Sequence, residues 1–223
     1  MHEGKEIVAL DLDSVLCNTN SVVDKFLREK FGLHIDWNND FVTYEFDKCP
    51  YISNEAIAAL RKAIGTGELF VDAPTTNYAE YAINKLMRNN FAVYIITARP
   101  AHTQALTEDW LRARCLKYDK LYVLGPNTNK AATIEACDIK AFIEDRFDTL
   151  MKVLDRCGQL DLGLYCIDYP WTSRYRNEHI VRVEHVAEAV DRIVNYRRWK
   201  GFFLNKCVGN IDKFIKEYSD GKG

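Results

Sequence analysis

Ile7-Val8-Ala9-Leu10-Asp11-Leu12-Asp13-Ser14-Val15-Leu16 is the stretch that decides the fold of this 223-residue chain. Four apolar residues end abruptly in an acid, with a second acid two positions on. That pattern reads as a buried parallel strand whose carboxyl end opens on a ligand site. Val93–Ile96, Leu121–Leu124, Ala141–Ile143 and Leu164–Ile167 are further short apolar runs of the same kind. Helical periodicity separates them. Over Tyr78–Arg88, Ala82, Ile83, Leu86 and Met87 share one face, and Asn77 with Glu80 has the spacing of a capping box. Residues 101–115, with Leu106, Trp110 and Leu111, and 131–137, with Ile134, repeat the pattern more weakly. The alternation calls for an α/β fold with a parallel sheet covered by helices on both faces.

One interval is out of line, because about 80 residues separate the first strand from the second, far more than one crossover helix needs. Val22, Val23, Phe26, Leu27 and Phe31 make a helical stripe closed by Gly32, and Ala56, Ile57, Leu60 and Ile64 make another closed by Gly65. The chain is therefore expected to carry a small helical cap over 17–74, inserted in a core made of 1–16 and 75–223. After the fifth strand, Val186, Val190, Ile193 and Val194 mark one amphipathic helix, and Ile211, Phe214, Ile215 and Tyr218 another. The basic and aromatic run Arg197-Arg198-Trp199-Lys200-Gly201-Phe202-Phe203 between them is expected to dock on its own domain with its charges solvated.

Composition narrows the function classes. Hydrophobic residues make up 48% and charged residues 28%, the balance of a packed globular chain. Thirty Lys and Arg against 32 Asp and Glu leave a net charge of -2, so no strong nucleic-acid binding is expected and any phosphate is met locally. Apolar stretches fall far short of the ~20 residues that cross a bilayer, and the N-terminus lacks the pattern of a signal peptide. Seven cysteines, with no C-x-x-C pair, suit reduced thiols serving as core filler. The expected location is the cytoplasm, and a homodimer is left open.

The chemistry belongs at the carboxyl ends of the strands. There stand Asp11 and Asp13, then Thr97-Ala98-Arg99-Pro100, Lys130 after a Gly-Pro-Asn turn, and Glu144-Asp145-Arg146. One acid at a strand end is commonly a solvated turn former; four acids at two such ends repel one another unless a cation holds them. Oxygen donors without His or Cys point to Mg2+, with Asp11, Asp13, Glu144 and Asp145 as candidate ligands. Such a set supports phosphoryl transfer to a carboxylate, with Asp11 as nucleophile and Asp13 as acid and then base. Thr97 offers a hydroxyl and, with Ala98 and Arg99, neighbouring N–H groups for phosphate oxygens, and Lys130 adds a point charge.

At these residues the sequence resembles the haloacid dehalogenase-like phosphohydrolase superfamily, with all four motif segments in order. The resemblance implies a Rossmann-like sheet ordered 3-2-1-4-5, which sets the first and fourth strands side by side. Asp13 resembles the second acid of the members that hydrolyse phosphate esters. A narrower resemblance, to the 5'(3')-deoxyribonucleotidase-like branch, rests on Ile95–Pro100, Ile143–Arg146, Asp168-Tyr169-Pro170-Trp171-Thr172 and Arg182-Val183. Two positions depart from the common pattern. Ser14 stands where many relatives have Gly, and Glu144-Asp145 where Asp-Asp is frequent, so Asp145 is the expected direct ligand, with Glu144 and Asp148 as competitors.

In this architecture the cap selects the substrate. Phe26, Phe31, Trp37, Phe41, Tyr44, Phe46 and Tyr51 enrich the insertion in rings able to stack on a nucleobase, and Phe41 and Tyr44 are the candidates to face substrate. Arg99 and Arg146 either reach the substrate or pair with a nearby carboxylate. The favoured function is a Mg2+-dependent phosphomonoesterase acting on nucleoside or deoxynucleoside monophosphates, a 5'-nucleotidase. The alternatives are a phosphatase for another small phosphomonoester or a 3'-phosphate end, and a binding or regulatory protein without turnover.

Overall fold

The computed structural model describes residues 4–37, 49, 51–126 and 128–197. Strands β1 (Glu6–Leu10), β2 (Phe91–Thr97), β3 (Lys120–Val123), β4 (Ile139–Glu144), β5 (Gly163–Ile167) and β6 (Ile180–Val183) form one sheet in the order β3-β2-β1-β4-β5-β6. Every pairing is parallel. The five expected strands are all present, and the implied 3-2-1-4-5 order holds with β6 added at one edge. Ile-Val-Arg-Val is too short and too ordinary a run to announce that sixth strand from sequence.

Side chains alternate across the sheet as the pleat requires. Val8 and Leu10 face helices α3 (Ala79–Arg88) and α4 (Gln104–Ala113) and a helix over 186–197, here α7. Ala9, Tyr94, Ile96 and Phe142 face α5 (Lys130–Ala136) and α6 (Phe147–Cys157). The segment between β1 and β2 packs around an apolar cluster of its own. In it, Val23 and Leu27 of α1 (Thr19–Phe31) meet Ala56, Ile57 and Leu60 of α2 (Asn54–Thr66), together with Phe70 and Trp171. Asn18 caps α1 by accepting from the Ser21 N–H at 3.2 Å, and Gly32 closes it in the left-handed conformation.

Three local expectations fail. Helix α3 has no capping box: its N-cap is Tyr78, in the left-handed region at φ 68° and without a side-chain cap bond, while Glu80 accepts from Asn84 instead. Gly65 does not end α2, which runs on to Thr66 and closes at Gly67, where φ is 77° and an added Cβ would lie 2.9 Å from Thr103. Cys115 is exposed and Cys137 half-buried, although Cys17, Cys49, Cys157 and Cys166 are core residues as expected. Arg197 docks on its own domain, pairing with Glu6 at 3.0 Å above the Phe91 ring. The rest of the basic aromatic run and the helix expected near 211–218 lie outside the described residues. Among the described residues no helix is long and apolar enough to cross a membrane.

Candidate active site

Register brings the site together. Leu10 pairs with Ile95 on one side and with Ile143 on the other, so the next residues, Asp11, Ile96 and Glu144, stand in one row near the carboxyl ends of three adjacent strands. The Asp11 N–H continues the ladder by donating to the Ile143 carbonyl at 2.9 Å. Asp11, Glu144 and Asp145 each offer a carboxylate oxygen within 4.8 Å of the others, and all three residues are buried. Lys130, the first residue of α5, has its Nζ 2.7 Å from Asp11 Oδ1 and 2.8 Å from Glu144 Oε2.

Three carboxylates thus face one ammonium in a place nearly closed to water. Burial, then the repulsion of Glu144, pushes the Asp11 carboxyl up to about 8. Burial, followed by Glu144 and Asp11, raises Asp145 well above the usual carboxylate range. Burial acts on Glu144 as well, but there it is outweighed by Lys130 and hydrogen bonds, and the group is lowered. Glu144 Oε1 accepts from the N–H groups of Asp145 and Arg146 at 3.1 and 3.2 Å, and Oε2 accepts from Lys130. Asp145 Oδ2, by contrast, is buried and accepts no hydrogen bond among the described residues. A cation is the partner that such an oxygen set lacks. Asp148 is outside the group: it faces solvent, held by Arg146 at 2.9 and 3.0 Å and by Lys152 at 3.4 Å.

Asp13, expected among the metal ligands, has its carboxylate elsewhere. Arg99 Nη2 donates to its Oδ1 at 2.8 Å and Nε to its Oδ2 at 3.0 Å, while the Thr19 hydroxyl donates to Oδ1 at 3.0 Å. Arg99 and Arg146, each read as a substrate contact or a partner of a carboxylate, are thus both carboxylate partners at the margin of the cavity. Ser14 takes the left-handed conformation at φ 61°, a region that glycine enters without the steric cost a side chain brings. Thr97 is fully buried at the end of β2, its hydroxyl accepting from the Arg99 N–H at 3.2 Å.

These residues open on a cavity of about 430 Å³, large enough for a small organic ligand. Asp11, Asp13, Ser14, Thr97, Ala98 and Arg99 line it together with Val23, Trp37, Arg61, Ile64, Phe70 and Trp171. Phe41 and Tyr44 lie outside the described residues. Sequence reasoning missed Arg61 and Phe70, which carry no motif, and gave Tyr169 and Trp171 no role. Tyr169 and Trp171 stack at 4.4 Å. The Tyr169 hydroxyl donates to the Ser14 carbonyl at 2.8 Å and Trp171 Nε1 to the Asp145 carbonyl at 3.0 Å, so this pair buttresses two loops of the site at once. A ring run directly after a strand end was the available signal.

No family model matches the chain. A candidate nucleotidase of Bacillus subtilis is 23% identical over 84% of this chain and 93% of its own length. A nucleotidase of Clostridium acetobutylicum is 31% identical over 50% of this chain and 56% of its own. Among solved structures, a haloacid dehalogenase-like hydrolase from Streptococcus pneumoniae superposes with a TM-score of 0.56 at 13% identity, covering 85% of this chain and 98% of that one. Strand order and this structural likeness give the chain the fold of the haloacid dehalogenase-like hydrolases, and its strand-end residues are similar to the motifs of that superfamily. The two curated relatives, from Bacillus subtilis and Clostridium acetobutylicum, carry the name nucleotidase.

Proposed function

We propose that this chain is a Mg2+-dependent phosphomonoesterase acting on nucleoside or deoxynucleoside monophosphates. The observation that carries the proposal is the Asp11 carboxylate, set at a cavity floor against Lys130 and beside two further buried acids. Asp11 and Asp145 would hold the metal ion, which when bound neutralises the clustered acids and the phosphate oxygens. Glu144, with both oxygens occupied, orients Lys130 and the Asp145 backbone.

In the first step an Asp11 oxygen bonds to phosphorus as the ester P–O bond breaks, and Asp13 gives its proton to the departing alkoxide. In the second, water attacks the phosphorus of the aspartyl-phosphate, Asp13 takes the proton of that water, and the bond to Asp11 breaks to release phosphate. Thr97, Lys130 and the Ala98 segment receive the phosphate oxygens. The segment 17–74 serves as cap over a core of 1–16 and 75–223, and the rings of Trp37 and Trp171, which line the cavity, receive the nucleoside.

The test is phosphate release from ribo- and deoxyribonucleoside 5'- and 3'-monophosphates and from sugar phosphates, with and without Mg2+, using Asp11→Asn as control. The expected result is Mg2+-dependent release that favours nucleotides and is lost in the variant. Equal rates on sugar phosphates would overturn the nucleotide assignment, and full activity in Asp11→Asn would overturn the mechanism.

A further inference from the structure

We propose that Arg99 is a positioning residue: it fixes the Asp13 carboxylate in its working orientation and does not bind the substrate phosphate. The inference rests on the reading of Asp13 as acid and base given above. Its position two residues after Thr97 makes Arg99 look like a phosphate ligand, but its geometry says otherwise. The edge of the guanidinium that carries Nε and Nη2 is turned to Asp13, in three contacts of 2.8, 3.0 and 3.3 Å. This planar fork defines the plane of the carboxylate as well as its place, which a lysine ammonium does not. The Thr19 hydroxyl adds a third point at 3.0 Å.

The fork itself has little freedom. Arg99 is 5% exposed, and its guanidinium carbon lies 4.2 Å from the centre of the Phe70 ring and 5.9 Å from that of Trp110. Trp110 is anchored in turn, with Nε1 donating to the Ala73 carbonyl at 2.8 Å. The two acids of the D-x-D segment therefore have separate cations: Lys130 is paired with Asp11, and Arg99 with Asp13.

The test uses the Mg2+-loaded enzyme and two substrates. A deoxynucleoside monophosphate has an alkoxide leaving group that needs a proton, whereas p-nitrophenyl phosphate leaves as a stable phenolate. Because kcat/KM reports the steps up to departure of the leaving group, Arg99→Gln should lower it about tenfold to a hundredfold for the nucleotide. The loss for p-nitrophenyl phosphate should be much smaller, inhibition by inorganic phosphate should be unchanged, and adding Asp13→Asn should bring little further loss. Should Arg99→Gln not fold, Arg99→Lys, which keeps the buried charge without the fork, carries the same comparison. Equal losses on both substrates with weakened phosphate inhibition would make Arg99 a phosphate ligand and overturn the inference. Wild-type nucleotide turnover in Asp13→Asn would instead remove the acid–base reading, and the positioning role with it.

Discussion

Asp11 and Asp13 stand two residues apart on one loop, yet they occupy opposite electrostatic situations. Asp11 belongs to a buried group in which three carboxylates share one lysine, and its carboxyl is pushed up to about 8. Asp13 is matched by a single arginine, with part of its side chain open to water. The difference teaches a division of labour. On the proposed function, the unbalanced half suits charges that arrive, a metal ion and a phosphate, while in the balanced half Arg99 serves geometry. A fully compensated Asp11 group would have no affinity left for either arrival.

The contrast can be broken most severely at Asp11, the proposed nucleophile. Asp11→Asn is expected to lower phosphate release by more than about 10³-fold while leaving the melting temperature unchanged or higher, since it removes a buried like charge. Lys130→Met should come next, costing about 3–5 kcal/mol in denaturant unfolding because it strands buried carboxylates. Arg99→Met should cost less than Lys130→Met, because water reaches Asp13; equal costs would mean that the two halves do not differ as described.

Smaller effects sharpen the same comparison. Asp145→Asn should weaken Mg2+ binding at least about tenfold by calorimetry and raise the melting temperature of the metal-free protein. The raised carboxyl of Asp11 also fixes a sign for pH. It contributes stability in full below its ordinary value of 3.8, and that contribution is lost as pH rises toward about 8. The metal-free protein should therefore melt at progressively lower temperature across that window, and saturating Mg2+ should flatten the trend. Smallest of all, Ser14→Gly should gain about 1 kcal/mol or less by relieving the left-handed backbone, read as a small rise in melting temperature.

Much of this was legible in the chain, and the reasons it was or was not are physical. The strands were readable because a parallel strand buried on both faces needs an unbroken apolar run, and the first, second and fourth runs ended in polar residues of the site, Asp11, Thr97 and Glu144. The two glycine stops behaved differently. Gly32 closes α1 as expected, but Gly65 sits inside α2 because Gly67, two residues on, packs against Thr103 and takes the left-handed turn. The capping box at Asn77 and Glu80 failed because Tyr78 enters α3 from a left-handed conformation that the spacing alone does not reveal. Trp171 went unassigned because its hydrogen bond to the Asp145 carbonyl links loops that are distant in the chain.

By itself the sequence determined the kind of protein. Apolar runs, their order and the acids, threonine and lysine that follow them define a parallel sheet with a charged, phosphatase-like set of residues at its carboxyl edge. Those features are local, written in periodicity and in which residue types follow a strand. Only the tertiary structure decided which charge meets which. It separated Asp13 from the cluster of Asp11, Glu144 and Asp145, and gave Arg99 to Asp13 and Arg146 to Asp148. The partner of a long, flexible cation is chosen by strand register, burial and the rings that confine it, and Arg99 finds Asp13 from 86 positions away in the chain.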